Sequence, residues 1–136
     1  MKEFNIAIVG LGNIGLEVYK NIKKNAKDIK RKTGFNLNIL KVSARNIKKK
    51  RGVKFSKTIF EKNIFKIIND PKIDIIVELI GGSDGVAKRV VFQSIKKNKH
   101  VVTANKSLIS KHGDALSVLS EKHGVNLLFE AAVGGG

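Results

Sequence analysis

The sequence predicts an α/β fold: a parallel, doubly wound β-sheet with helices on both faces, in three layers. Two observations support this prediction. Short runs rich in Ile and Val, each of strand length, recur along the chain. Between them lie longer segments whose apolar residues fall three or four positions apart, as on one face of a helix. Because strands and helices alternate, the strands are expected to be parallel with right-handed crossovers.

Each element has its own local signal. The first strand, 4–9, leads through a glycine-rich turn into a helix at 13–32, for which Gly34 is the predicted C-cap. The apolar stripe of that helix comprises Ile14, Val18, Ile22, Ala26 and Ile29. The other predicted elements are a strand at 35–42, a basic loop at 47–57 with an extended piece at 53–55, a helix at 58–69, a strand at 73–79, a helix at 86–98, a strand at 100–103, a helix from about 107 to 124 that Gly113 could interrupt, and a strand at 125–129.

Length and composition bound the class of protein. A chain of 136 residues with 42% apolar residues and a mean hydropathy of -0.09 is typical of one soluble globular domain. No apolar run approaches the ~18–20 residues that span a bilayer, and the first strand begins too early for a signal peptide. Cysteine is absent, which excludes disulfides, thiol catalysis and thiolate metal sites. We expect no membrane association and a cytoplasmic location.

The chain is strongly basic, with 27 Lys and Arg against 11 Asp and Glu and a formal net charge of +16. The excess is concentrated at 20–32, the polar side of the first helix, and at 48–57. A solvated surface that also attracts an anionic cofactor is the favoured interpretation. Nucleic-acid binding is disfavoured, because aromatic residues do not alternate with the basic runs and no helix-turn-helix, RRM or zinc-finger pattern occurs.

The glycine-rich turn has the pattern G-x-G-x-x-G. Such a turn aims backbone N–H groups and the positive end of the helix dipole at one point, where a pyrophosphate binds favourably. Gly10 is expected to make the tight turn, Gly12 to let the ligand approach the backbone, and Gly15 to let helix and strand pack closely. A Rossmann dinucleotide site is therefore favoured over a turn that merely needs flexible residues. The predicted cofactor contacts here are Gly10, Leu11, Gly12, Asn13, Ile14 and Gly15.

Two further loops follow predicted strands. After the second strand no acidic residue occurs between positions 29 and 60, and Arg45 stands where an NAD-specific site usually has Asp or Glu. NADP(H) is therefore the preferred cofactor, with NAD(H) as the alternative. Gly81 and Gly82 follow the third strand and are expected to contact the cofactor. Glu78, just before them, is interpreted as a packing and loop-positioning residue.

Four segments together resemble one family. They are I-A-I-V-G-L-G-N-I-G at 6–15, V-E-L-I-G-G at 77–82, H-V-V-T-A-N-K at 100–106 and F-E-A-A-V-G-G-G at 129–136. In this order and spacing they resemble homoserine dehydrogenase, and the T-A-N-K and E-A-x-V-G-G-G segments are the most specific. The resemblance covers residues 1–136 as the NAD(P)-binding domain, with a substrate and dimerisation domain expected beyond it. One departure is S-D-G-V-A at 83–87, which replaces the family's usual Glu-Pro-Ala.

The resemblance implies interconversion of L-homoserine and L-aspartate 4-semialdehyde with a nicotinamide cofactor, on the route to threonine and methionine. It assigns Arg45 to the adenosine end of the cofactor and places Thr103 and Lys106 beside the nicotinamide. Lys106 is the candidate catalytic residue, since its ammonium group can orient a substrate oxygen or stabilise negative charge. In the family a monovalent cation is bound at positions that correspond to Glu130, Val133 and Gly135.

The resemblance also implies a homodimer or tetramer for the full-length enzyme. For the 136-residue polypeptide alone we expect a monomer that binds cofactor without turnover. Two other enzyme classes remain open, namely aspartate dehydrogenase and other reductases with similar cofactor domains. The remaining alternative is a redox-sensing or nucleic-acid-binding module without catalysis. The histidines give no independent catalytic signal.

Overall fold

The computed structural model describes residues 2–44, 51–53, 55–56 and 58–129. Over these ranges, strands and helices alternate along the chain, as the sequence predicts. In chain order the elements are β1 (Lys2–Val9), α1 (Asn13–Thr33), β2 (Phe35–Ser43), α2 (Ile64–Ile68), β3 (Ile75–Glu78), α3 (Val86–Lys96), β4 (His100–Thr103), α4 (Lys106–His123) and β5 (Leu127–Phe129).

The strands form one parallel sheet in the order β2-β1-β3-β4-β5. Beyond β2, a single parallel bridge joins Val42 to Phe60. This bridge lies where a dinucleotide-binding fold places its third strand, so the sheet follows the Rossmann order with that strand reduced to one residue pair. From β1 the chain continues to β2 on one side and then returns to β3 on the other side, so the strand order reverses between β1 and β3. Ligands bind at such a reversal, outside the carboxyl ends of the strands.

Both faces of the sheet are covered. Ile6 and Ile8 of β1 point to one face, where they pack with Tyr19 of α1. Ala7 and Val9 point to the other face and join the buried residues of α2, α3 and α4. Since successive side chains of a strand alternate between faces, the half of β1 that is covered on both sides, 6–9, is apolar throughout. The predicted three-layer α/β architecture is confirmed.

Apart from shifts of one or two residues at the ends of elements, three local predictions differ from the structure. The predicted helix at 58–69 is reduced to α2, because Phe60 belongs to the sheet-edge bridge and the side chain of Asn63 caps the helix by accepting from Phe65 N at 3.1 Å. The helix α4 continues through Gly113, since burial of Leu116 outweighs the small cost of a helical glycine. Ile14 is 42% exposed, whereas Val18 and Ile22 of the same predicted stripe are partly buried against the sheet.

The helix ends follow the sequence signals more closely. Gly34 closes α1 in the left-handed conformation, with φ of 78°, and Gly124 closes α4 in the same way, with φ of 65°. The predicted cap at Gly34 is confirmed. Within the described ranges, none of the helices is long and apolar enough to cross a membrane.

Candidate cofactor-binding site

The glycine turn between β1 and α1 is held by backbone contacts that leave no room for side chains at two positions. Gly10 has φ of +101°, and a Cβ atom there would lie 2.8 Å from the carbonyl carbon of Leu79. A Cβ atom on Gly15 would lie 2.1 Å from the carbonyl oxygen of Gly10. The predicted roles of these glycines, a tight turn and close packing, are therefore confirmed.

Gly12 has a different environment. Among the described residues, no atom outside its chain neighbours lies within 4 Å of the position its Cβ would occupy, so the space beside it is open to them. It is the N-cap of α1, and no side chain of the described residues caps this end of the helix. The first turn also contains no acidic residue. The N–H groups of the first turn therefore face open space at the positive end of a 21-residue helix, which suits an anionic group.

A cavity of about 770 Å³ opens beside this turn. It lies at the reversal of strand order, and its volume is in the range typical of small-molecule sites. Two cationic side chains, Arg51 and Lys62, line it on the side of β2. The other lining residues are Gly10, Leu11, Gly12, Ser43, Ala44, Ile64, Leu79, Ile80 and Val86. An apolar wall, two cations and a helix N-terminus that no described side chain caps fit the adenine and pyrophosphate groups of a dinucleotide.

The loop after β3 is fixed by Glu78, which is fully buried. Its Oε1 atom accepts hydrogen bonds from the backbone N–H groups of Ile80, at 2.8 Å, and Gly81, at 3.2 Å. Its Oε2 atom accepts from the hydroxyl of Thr103 at 2.6 Å. The interpretation of Glu78 as a loop-positioning residue is confirmed.

Asn105 continues this set of hydrogen bonds into α4. Its backbone N–H donates to Thr103 Oγ1 at 3.0 Å, and its Nδ2 donates to the carbonyl oxygen of Gly82 at 2.6 Å. Its Oδ1 accepts from the backbone N–H of Leu108 at 3.1 Å and so caps the helix. Lys106, the first residue of α4, follows directly and is exposed.

Asp84 links the loop after β3 to two residues of α4. Its carboxylate contacts Lys111 Nζ at 2.6 Å and His112 Nε2 at 3.1 Å. The hydrogen bond from Lys111, followed by that from His112, lowers the pKa of Asp84 to about 2. The carboxylate therefore stays ionised at neutral pH, and its ion pair with Lys111 is lost only in strong acid.

A family model described as the homoserine dehydrogenase NAD binding domain matches residues 10–130. This span includes both glycine loops and the T-A-N-K segment at 103–106. The chain belongs to the homoserine dehydrogenase family. It is an NAD(P)-binding domain of that family, in agreement with its glycine turn and its sheet order.

Relatives that match the whole chain are homoserine dehydrogenases. That of Pseudomonas aeruginosa is 38% identical over 136 residues, which make up 100% of this chain and 31% of the relative. That of Bacillus subtilis is 33% identical over 136 residues, with the same coverage. A crystal structure of S. aureus homoserine dehydrogenase matches with a TM-score of 0.89 and 37% identity, over 97% of this chain and 33% of that one. The chain thus spans about a third of the length of these relatives.

The structure brings most of the predicted cofactor residues of this homoserine dehydrogenase domain to one edge of the sheet. At the first turn, Gly10, Leu11 and Gly12 line the cavity, whereas Asn13, Ile14 and Gly15 form the start of α1. Gly81 and Gly82 are exposed at the end of β3. Thr103 ends β4 but is completely buried, so its hydroxyl faces Glu78 rather than solvent. Four predicted site residues lie outside the described ranges: Arg45, Glu130, Val133 and Gly135.

Sequence reasoning missed two contributors to the site. Lys62 lines the cavity although it lies far from the glycine motif in sequence. Its position follows from the bridge between Val42 and Phe60, which brings the segment before α2 alongside β2. The sequence shows Asn105 only as part of a family motif, yet its side chain links the loop after β3 to the first turn of α4. An Asn immediately before an amphipathic helix is an N-cap signal, which could have predicted half of its role.

Proposed function

We propose that this chain is the cofactor-binding part of a homoserine dehydrogenase that interconverts L-homoserine and L-aspartate 4-semialdehyde. The observation that supports this most directly is the glycine turn at the N-terminus of α1, which no side chain of the described residues caps and which opens on a cavity lined by two cations. Membership of the family supports the choice of substrate. The nicotinamide of the bound cofactor supplies or accepts the hydride, and the protein supplies binding, orientation and electrostatic stabilisation.

Individual residues have distinct roles in this proposal. The N–H groups after Gly12 bind the pyrophosphate, and the glycine loop after β3 contacts the cofactor next to them. Lys106 lies at the carboxyl end of β4, where its ammonium group orients a substrate oxygen and stabilises negative charge that develops on it. Thr103 is the last residue of the same strand, three positions before Lys106.

Further features of the whole enzyme are proposed from the family alone. A monovalent cation would be bound with oxygen ligands from Glu130, Val133 and Gly135, which is suitable chemistry for a hard cation. The whole enzyme would be a homodimer or tetramer in the cytoplasm. These proposals are independent of the cofactor site and are tested separately from it.

The 136-residue polypeptide is expected to bind NADPH without oxidising homoserine. The chain spans about a third of its relatives, and hydride transfer requires a substrate held against the nicotinamide. Fluorescence titration with NADPH measures the binding, and the appearance of NADPH absorbance in a mixture of NADP+ and homoserine measures turnover. Absence of NADPH binding would refute the proposed function. Turnover above that of a Lys106→Ala variant would refute the expected inactivity.

We further propose that the site prefers NADP(H) over NAD(H). Lys62 and Arg51 line the cavity next to the end of β2, where the adenosine ribose binds in this fold, and Ser43 and Ala44 provide no carboxylate there. Hydrogen bonds to charged groups contribute about 1.5–3 kcal/mol, or roughly tenfold to a hundredfold in affinity. Arg45, at the position where the fold usually carries an acid, is proposed to add to this preference.

Replacing Lys62 by alanine should reduce the preference for NADPH by about tenfold and leave NADH affinity nearly unchanged. The same result is expected for Arg45→Ala. Lys72→Ala is a matched control, because it removes an exposed lysine just before β3, at the amino ends of the strands and away from the cavity. Titration of the wild type and the three variants with both cofactors measures the effect. Equal affinities of the wild type for NADPH and NADH would rule out the preference.

A further inference from the structure

The ends of β3 and β4 are joined by a closed set of hydrogen bonds, here called the Glu78 network. It starts at the Glu78 carboxylate, passes through the Thr103 hydroxyl and Asn105 to the carbonyl of Gly82, and returns through the N–H of Gly81 to Glu78. We propose that Glu78 is a positioning residue of the cofactor site, which acts through this network to hold the Gly81–Gly82 loop and Lys106 in one fixed arrangement. The inference rests on the proposed function.

Glu78 is a buried carboxylate at the end of an otherwise apolar strand. It is 0% exposed, although its neighbours in β3 are apolar, and its bonds come from two backbone N–H groups and a hydroxyl. No salt bridge to Glu78 occurs within the described ranges. Burying a carboxylate costs free energy unless donors replace its water. A leucine at this position could supply packing but could not orient three donors. The carboxylate therefore serves to fix a geometry.

The two glycines of this loop have no side chains that could hold them in one conformation. Gly81 and Gly82 are exposed and have φ of 90° and 87°. Glycine in a loop samples many backbone conformations, and ordering it costs conformational entropy. The bonds to Glu78 on one side and to Asn105 on the other restrict both residues. A loop that is ordered before the cofactor binds loses less entropy on binding, so affinity rises.

The same network holds the backbone at the start of α4, which carries Lys106. Asn105 bonds the loop with its Nδ2 atom and caps α4 with its Oδ1 atom, so the loop and the first turn of α4 share one side chain. Lys106 follows Asn105 directly. The Thr103 hydroxyl donates its proton to Glu78 and accepts from Asn105 N, and the residue is completely buried. Thr103 therefore acts by positioning, and its hydroxyl does not contact the cofactor.

The test compares Thr103→Val, which removes the central hydroxyl, with Thr103→Ser, which keeps it. Thr33→Val is a matched control, because the Thr33 hydroxyl also donates one hydrogen bond, to Ile29 O, and accepts one, from Phe35 N. Thr33 lies just before β2, at the amino ends of the strands. We expect Thr103→Val to weaken NADPH binding about tenfold and to speed amide exchange at Ile80 and Gly81 at least tenfold. Thr103→Ser should restore both within about twofold, and Thr33→Val should leave both unchanged.

Glu78→Gln is the second variant, used if Thr103→Val does not fold. Glutamine keeps one acceptor oxygen for the loop but places an amide group, a donor, towards Thr103. A several-fold loss of NADPH affinity in a folded Glu78→Gln protein supports the inference. Wild-type affinity in either folded variant overturns it, as does unchanged amide exchange at Ile80 and Gly81. The exchange measurement needs no cofactor, so it tests the network even if the wild type fails to bind NADPH, a result that would refute only the proposed function.

Discussion

Alanine at position 15 is expected to lower the free energy of unfolding of this domain by about 3 kcal/mol or more. The added Cβ would lie 2.1 Å from the carbonyl oxygen of Gly10, a contact between two backbone segments. Gly10 cannot move away, because its N–H donates to Ser43 O at 3.0 Å and its Cα faces the backbone of Leu79. Overpacking in a core typically costs 1–3 kcal/mol, and a contact this short should cost about 3 kcal/mol or more. Urea unfolding followed by circular dichroism measures the loss.

The control for Gly15→Ala is Gly12→Ala, three residues earlier in the same turn. Position 12 has extended backbone, with φ of -82° and ψ of -158°, and open space around it. An alanine there should lower the free energy of unfolding by no more than about 1 kcal/mol, the cost of losing a glycine N-cap. If Gly15→Ala and Gly12→Ala unfold at the same urea concentration, the close packing of α1 on the turn does not limit stability.

Valine at position 12 is expected to abolish most of the cofactor affinity of the folded protein. The side chain would occupy the open space beside the N–H groups of the first turn of α1, where the pyrophosphate is proposed to bind. Displacing an anion from a helix N-terminus and from charge-assisted hydrogen bonds should cost roughly tenfold to a hundredfold in affinity. Titration of NADPH against wild type and Gly12→Val measures the loss.

A measurement of stability distinguishes a loss of NADPH affinity from unfolding of the variant. The urea midpoint of Gly12→Val should stay close to that of Gly12→Ala, and Gly12→Ala should bind NADPH with intermediate affinity because its side chain is smaller. Wild-type affinity for NADPH in Gly12→Val would mean that the cofactor does not approach the backbone at this position. The pyrophosphate assignment would then be wrong.

Local sequence signals were sufficient for features that depend on neighbouring residues. The alternation of strands and helices, the left-handed cap at Gly34 and the turn at Gly10 follow from periodicity and from the freedom of glycine. The motif that contains Glu78 could be read as loop positioning, because a carboxylate beside two glycines has backbone donors within reach. These predictions hold because the interacting groups are close in sequence.

Pairing between distant segments required the tertiary structure. The helix predicted at 58–69 has strong apolar periodicity, yet Phe60 pairs with Val42 because the sheet edge offers backbone bonds that helix propensity alone cannot outweigh. The same pairing places Lys62 in the cavity. For Thr103 the family motif implies a place near the cofactor, but only the register of β3 against β4 shows its hydroxyl directed at Glu78.

The sequence by itself therefore determined the fold class, the family and the position of the dinucleotide turn, since these are encoded in contiguous patterns of apolar residues and glycines. The tertiary structure alone decided which side chains converge at the carboxyl edge of the sheet. Residues that are 25 positions apart in sequence, such as Glu78 and Thr103, come within hydrogen-bond distance only when parallel strands align in one register. That register depends on the packing of the whole core, and no local pattern specifies it.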